Sequence, residues 1–461
     1  MSKIIYLILL ISTSLQKTIF LFEHIRHSHR SPDFKIGKTI YEHRDIFNNE
    51  WKSSGLLTRI GKRSAFLQGY RTRIYYKDFL PEHYHQNEIY YFSTPAKRVI
   101  QGIHAQMMGL FYLKNFEYTV DLNKAYPPGS KNNEIDSLMN RLGNDVLGKN
   151  GDILPFDIIS NDELDYLFLR KNICPRIKEI KKENEKKNEN IFNNLYNKYI
   201  TNFGNGLKEY FNKSSTDFLK DFSFINKISD LYITGYDNNR FNHDLNTKYN
   251  IDLRQFYKLN KEFQFNSLFK REFNYELSKI ALSKTFPKIL KWMDNRVQIE
   301  ISGNKTLNDE IHGEPKYVLY AGHANTVAAF EVFMRYVFNT NIVYPEFTSH
   351  FFFDIYKYDN KENDIKNYYV KYIFDDEILL EIDYLTFKKK IEEHLLSEQQ
   401  IQEYCKIKGN MLNSFNLFII FILLIVISFC VGLKLFKKVN LKKSKKNNVL
   451  VEKTDEINNY E

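Results

Sequence analysis

The chain has 461 residues, 43% of them hydrophobic and 16% aromatic, which is ample for a packed core and excludes a wholly disordered chain. Its net charge of +10 is unevenly distributed: from Lys434 onward eight lysines face four acids, and without that tail and Lys3 about +5 remains. A surplus of that size on a body this large does not imply a nucleic-acid partner, and none is assigned.

At the N-terminus Lys3, the apolar run 4–11 and the small residues of "STS" read as a signal peptide over residues 1–16. Residues 18–25 follow as a buried strand. A helical pattern starts at Thr58, with Ile60, Leu67, Tyr70 and Ile74 expected on the core face. Residues 88–92, "EIYYF", form a second strand. Thr94 can cap the next helix, Pro95 suits its first position, and Val99, Ile103, Met107 and Leu110 supply its stripe. Strand, helix, strand, helix predicts an α/β layer with parallel strands.

This first part of the core, residues 17–160, gives way to a charged, Asn-rich helical insertion over 161–297. The second part, 298–405, holds a strand at 316–321, a helix at 326–338, strand-like runs at 350–358, 368–374 and 377–382, and an amphipathic helix near 384–396. A stalk, 406–414, leads to residues 415–436, long enough to cross a hydrocarbon core of about 30 Å. No charge interrupts 415–433, and lysines 434, 437, 438, 442, 443, 445 and 446 follow. The positive-inside rule places the basic tail, 437–461, in the cytoplasm. The expectation is a single-pass type I membrane protein, held by one transmembrane helix, whose catalytic part is lumenal (lysosome or vacuole) or extracellular. Cys430 falls within the span. Cys174 and Cys405 would face an oxidising compartment, which makes them a disulfide candidate. Asn212 and Asn304 begin sequons usable there.

The chemistry concentrates in "RHSHRSP", residues 26–32, at the carboxyl end of the first strand, the edge where open α/β sheets take ligands. Guanidinium groups such as those of Arg26 and Arg30 grip phosphate oxygens in pairs. His27 between them is pushed toward neutral imidazole, the nucleophilic form. Arg98 lies in the first turn of the helix after the second strand, and His323 sits between the strand at 316–321 and the helix that follows it. Helix N-termini favour anions. Three strand-to-helix junctions thus present Arg or His toward one edge, an oxyanion cradle with a nucleophile in its floor. His27, His29, His83 and His85 have HxH spacing without acidic ligands nearby, so no metal is assigned.

"RHSHRSP" resembles the RHGxRxP signature of the histidine acid phosphatases, the group of lysosomal and prostatic acid phosphatases and phytases. "GLLTRIGKRSAFLQGYRTRIYY", "FSTPAKRVIQGIHAQMMGLF", "NICPRIKEI" and "YVLYAGHANTVAAF" resemble further segments of that family. Phosphoglycerate mutases share an RHG start, but Arg30 and Pro32 favour the phosphatases. The resemblance implies an α/β fold, a phosphoglycerate-mutase-like three-layer core with an inserted helical domain. It implies hydrolysis of phosphate monoesters without a cofactor. His27 would be the nucleophile that becomes phosphohistidine, with Arg26, Arg30, Arg98 and His323 holding the transferring oxygens. The chain departs from the pattern in three places. Ser28 replaces a glycine, and Phe92 stands where an arginine is common. Ala324 and Asn325 replace the acid that relatives carry after the histidine (HD or HAE), and neither can protonate a leaving group. Glu331, six residues along the helix, is about 9 Å from Asn325 and no evident substitute. A donor is worth ~10²–10⁴-fold, so slow alkyl-ester hydrolysis is expected. The alternative is an impaired relative that binds phosphorylated ligands or partners.

Overall fold

Gln16–Arg26 forms β1, which runs through the middle of a seven-stranded sheet. In this computed structural model the described residues are 16–32, 55–82, 84–111, 155–239, 244–303, 314–358 and 363–406, with isolated positions 137, 140 and 422. Along β1, Phe20 and Phe22 enter one hydrophobic core and Leu21 and Ile25 another. That alternation is the mark of a strand covered on both faces. The other strands are β2 (Ile89–Ser93), β3 (Asp157–Ile158), β4 (Tyr317–Gly322), β5 (His350–Tyr358), β6 (Tyr368–Phe374) and β7 (Glu377–Asp383). Their spatial order is β3-β2-β4-β1-β5-β6-β7.

The first four in that order are parallel, as the alternation of strand and helix predicts. β5, β6 and β7 continue the sheet antiparallel. Among the described residues no α-helix separates them, and parallel neighbours need a crossover. Asp375 and Asp376 make the tight β6–β7 turn with positive φ at both positions, the geometry that suits a two-residue hairpin.

Two helices, α1 (Arg59–Tyr75) and α2 (Lys97–Leu110), cover one face. The stripe of α2, Val99, Ile103, Met107 and Leu110, is buried as its spacing predicts. That of α1 is not: Ile60, Leu67 and Ile74 are 42, 51 and 53% exposed. The buried side of α1 is instead Gly61, Ala65, Gln68, Gly69 and Thr72. The two helices lie so close that a Cβ on Gly69 would come within 1.9 Å of the Gln106 carbonyl oxygen. Close packing, not hydrophobicity, selects the inward side.

The helical stretch continues with α3 (Asn161–Leu167), α4 (Ile177–Lys187), α5 (Glu189–Tyr210), α6 (Phe222–Asp237), α7 (Asp244–Thr247), α8 (Leu253–Asn266), α9 (Tyr275–Leu282) and α10 (Thr285–Ser302). It divides in two. Side chains of α3, α4, α9 and α10 share the core of the sheet's second face with α11 (Ala324–Phe338), α12 (Tyr384–His394) and α13 (Glu398–Cys405). Those of α5, α6 and α8 build a separate core around Phe192, Tyr199, Ile228, Phe256 and Phe263. Within it, Tyr199 and Ser229 donate to Asn260 Oδ1 at 2.9 and 2.8 Å. This second body forms a cap. A single π-helical turn, Ser267–Glu272, carries the chain from it back to the sheet core.

Cys174 and Cys405 are joined by a disulfide, Cα atoms 4.8 Å apart. Gln16 pairs with Tyr358 of β5, so the last residue of the expected signal segment belongs to the sheet. Asn212 is exposed in a left-handed turn after α5. Among the described residues no helix is long and apolar enough to cross a membrane. The expected span at 415–436, apart from isolated position 422, lies outside them, as do residues 1–15, the stalk at 406–414 beyond its first residue, the tail at 437–461 and Asn304.

Candidate active site

β2, β4 and β1 are adjacent, parallel, and end together. His27 N donates to Gly322 O at 2.9 Å and Thr94 N to Ala321 O at 3.2 Å, which carries the ladder just past the strand ends. Neighbouring strands stand about 4.8 Å apart, so this register alone brings the residues after each strand side by side. Arg26, His27, Arg30, Arg98, His323, Ala324 and Asn325 line one cavity of about 330 Å³, whose wall also includes cap residues such as Asp230.

The rings of His27 and His323 meet edge to face with centroids 5.3 Å apart. His27 Nδ1 lies 3.0 Å from the Ser28 carbonyl oxygen, an acceptor only, which puts the proton on Nδ1 and the lone pair on Nε2. Burial lowers the His27 pKa well below its ordinary value, and His323, Arg30, Arg26 and Arg98 lower it further. The neutral form foreseen from the flanking arginines is therefore present, but desolvation is its main cause. His323 is shifted the same way, by burial first and then by Arg98, Arg30, Arg26 and His24. Arg98 Nη2 donates to His323 Nδ1 at 3.3 Å, and His323 Nε2 donates to Thr94 Oγ1 at 3.0 Å. Thr94 thus serves His323; the α2 N-cap is Ala96, and the helix begins two residues later than Pro95.

Arg26 stacks its guanidinium 4.2 Å above the Phe347 ring and donates to Pro345 O. Arg30 donates to Ser31 O at 3.1 Å and to Asp230 Oδ1 at 2.6 Å. The Nε groups of both arginines are buried without a hydrogen-bond partner. A buried donor left unpaired costs about 1–3 kcal/mol, and an oxyanion between these arginines would supply the acceptors. The cradle is thus positively charged and under-satisfied in donors, which is the requirement for holding a phosphoryl group.

Supporting residues that sequence reading did not single out complete the frame. Thr326 Oγ1 accepts from His323 N and from His24 Nε2, both at 2.9 Å, and donates to His323 O at 2.9 Å. His24, on the α11 face of β1, is fully buried, and desolvation takes its pKa down to about 3. Thr58 caps α1 by accepting from Gly61 N at 3.1 Å, while its own N donates to His29 O at 3.0 Å. Gly61 touches the same loop: a Cβ there would lie 1.9 Å from His29 O. The motif glycine at 61 was the one available signal for this contact.

The departures from the family pattern resolve unevenly. Ser28 is buried and is not among the residues with positive φ, so the missing glycine costs no backbone strain. Phe92 turns into the core, 4.9 Å from the Tyr320 ring and under Lys288 Nζ at 4.2 Å. His29 packs on Phe347 and does not line the cavity. Glu331 is buried away from the cavity, accepting from Val343 N at 3.0 Å and from Tyr372 OH, and burial raises its pKa to about 7. It cannot serve as the missing acid. His83 lies outside the described residues, among which no group of His, Cys, Asp and Glu could hold a metal ion.

No curated protein is significantly similar to the chain in sequence. Among solved structures, the phytase of Hafnia alvei in complex with tartrate superposes with a TM-score of 0.52 at 12% identity, over 84% of this chain and 99% of that one. The phytase of Citrobacter braakii does so with a TM-score of 0.50 at 12% identity, over 85% and 100%. At that identity they show the fold alone. The family profile of the histidine phosphatase superfamily (branch 2) matches residues 16–375, and the chain belongs to that family.

Proposed function

We propose that this protein is an acid phosphatase that hydrolyses phosphate monoesters through a phosphohistidine at His27, its catalytic part outside the cytosol and its chain anchored by residues 415–436. The observation that carries the reaction is the cradle: a neutral, tautomerically fixed imidazole beside Arg26, Arg30, Arg98 and His323 in one cavity. Nε2 attacks phosphorus, the arginines spread the charge on the equatorial oxygens, and water releases phosphate. Burial keeps His27 unprotonated well below pH 6.5, so the nucleophile survives in acid. The anchoring rests on the uncharged run 415–433 and the lysines after it. The Cys174–Cys405 disulfide suits an oxidising compartment.

The rest of the cavity wall bears on the substrate. Beyond the arginines, the described lining residues are neutral, such as Asn226, Ile233, Gln264 and Leu268, or acidic, Asp230 and Glu272. Such a wall favours a single phosphoryl group on a neutral alcohol over a highly phosphorylated ring. A second reading, a binder without turnover, is favoured by Ala324 and Asn325 at the donor positions. The two separate on one test. Radiolabelled p-nitrophenyl phosphate should transfer acid-labile phosphate to the protein, and His27→Ala should abolish the label; ligand retention without label in wild type would establish the binder.

A further inference from the structure

The reaction needs a proton for the leaving oxygen, and the usual positions cannot give one. Only two carboxyl groups appear among the described residues lining the cavity, Asp230 and Glu272. Both oxygens of Glu272 are engaged, Oε2 by Lys181 and Oε1 by Arg271 at 2.6 Å. Asp230 differs. Its Oδ1 accepts from Arg30 at 2.6 Å, but its Oδ2 is buried and has no hydrogen-bond partner. The side chain comes from α6 of the cap and reaches across to an arginine of the nucleophile's own loop. Asn238, just past the end of α6, anchors that approach: its Nδ2 donates to Arg30 O at 3.3 Å, and its Oδ1 accepts from Thr58 Oγ1 at 2.7 Å.

We infer that Asp230 is the general acid of this protein, delivered from the cap in place of the acid missing at residues 324 and 325; the inference rests on the phosphatase reading above. A phosphoryl dianion held by Arg30 brings a second anion against this carboxylate. One proton kept between them removes the repulsion, as in paired carboxylates. Oδ2, which has no other partner, is the oxygen that carries it. In the first step the His27 Nε2 lone pair forms the N–P bond while the P–O bond to the alcohol breaks. The Asp230 proton passes to the departing oxygen, giving a neutral alcohol and the Asp230 carboxylate. In the second step water attacks phosphorus, its proton returns to Asp230, and the N–P electron pair returns to Nε2. Protons and electrons balance with no further reagent.

The test is Asp230→Asn, which keeps an acceptor for Arg30 but cannot carry the proton. In the full-length chain, kcat/KM is measured for glycerol phosphate, whose alkoxide leaves poorly, and for p-nitrophenyl phosphate, whose phenolate needs no proton. The expected result is a loss of about 10²–10⁴-fold for the alkyl ester and less than about tenfold for the aryl ester. Label on His27 should persist and accumulate, because the base for the second step is also gone. Equal losses on both esters would make Asp230 a support for Arg30 only, and a gain or no change on glycerol phosphate would make it an obstruction or a bystander; each overturns the assignment. Absence of label in the wild-type protein would instead overturn the phosphatase reading itself.

Discussion

Gly61→Ala tests whether the first helix positions the loop that carries His27. The added Cβ would sit 1.9 Å from the His29 carbonyl oxygen, where ordinary contact begins at 3.4 Å. The obstacle is backbone, and the same carbonyl accepts from the Thr58 N–H at 3.0 Å. Either the helix or the loop must therefore yield by about 1.5 Å, since a close-packed interior has no slack to absorb it. His29 lies between His27 and Arg30, so the yielding carries both of them with it. A displacement near 1 Å costs on the order of 10²-fold in rate, and the overpacking itself about 1–3 kcal/mol. Two controls separate these effects. Gly69→Ala meets Gln106 O at the same 1.9 Å but away from the loop, and should lose stability while keeping kcat per folded molecule. Gly102→Ala meets only the Leu57 Cδ1 atom at 3.7 Å and should be neutral or stabilising by up to about 1 kcal/mol. The assay is phosphoenzyme formation against denaturant midpoint for the three variants. A folded Gly61→Ala protein with wild-type kcat would refute the positioning argument.

Thr326→Val strands His24 Nε2 and His323 N; a loss of about 1–3 kcal/mol is expected together with a fall in kcat, and Thr326→Ser should restore both, as chemical denaturation and steady-state assays would record. Asn325→Asp should raise alkyl-ester turnover on the order of 10²-fold in an Asp230→Asn background and little in the wild-type protein; an equal gain in both would show that the native cavity lacks a donor. Stability should peak near neutrality. Burial lowers His24 to about 3 and His350 to about 4, and His27 and His323 well below their ordinary value, so these groups lose stability as pH falls below 6.5. Burial raises Glu23 and Glu331 from 4.5 to about 7, so these contribute most below 4.5 and are lost as pH rises through 7. Four histidines against two glutamates make the unfolded chain the larger proton binder from 4.5 to 6.5, so denaturant midpoints should rise across that interval and level off near pH 7; a fall across it would contradict the balance.

What the sequence by itself determined was local. The strands at 350–358 and 368–374 match their predicted bounds, because alternation and bounding turns are properties of a few consecutive residues. His27, Arg26 and Arg30 were legible because the motif holds them within five positions. The α2 stripe was legible because a helix that packs by apolar bulk declares it in its spacing. α1 misled because it packs by closeness, and glycine carries no hydrophobic signal.

Only the tertiary structure decided which strands are neighbours. β4 enters between β2 and β1 although it follows β1 by almost three hundred residues, and that insertion sets His323 beside His27. The same holds for Asp230, which meets Arg30 across 200 positions from a cap with its own core. A carboxylate on a solvated helix and one that lines this cavity have the same local sequence. What distinguishes them is the packing of the cap against the sheet, a sum over contacts that no stretch of the chain contains alone.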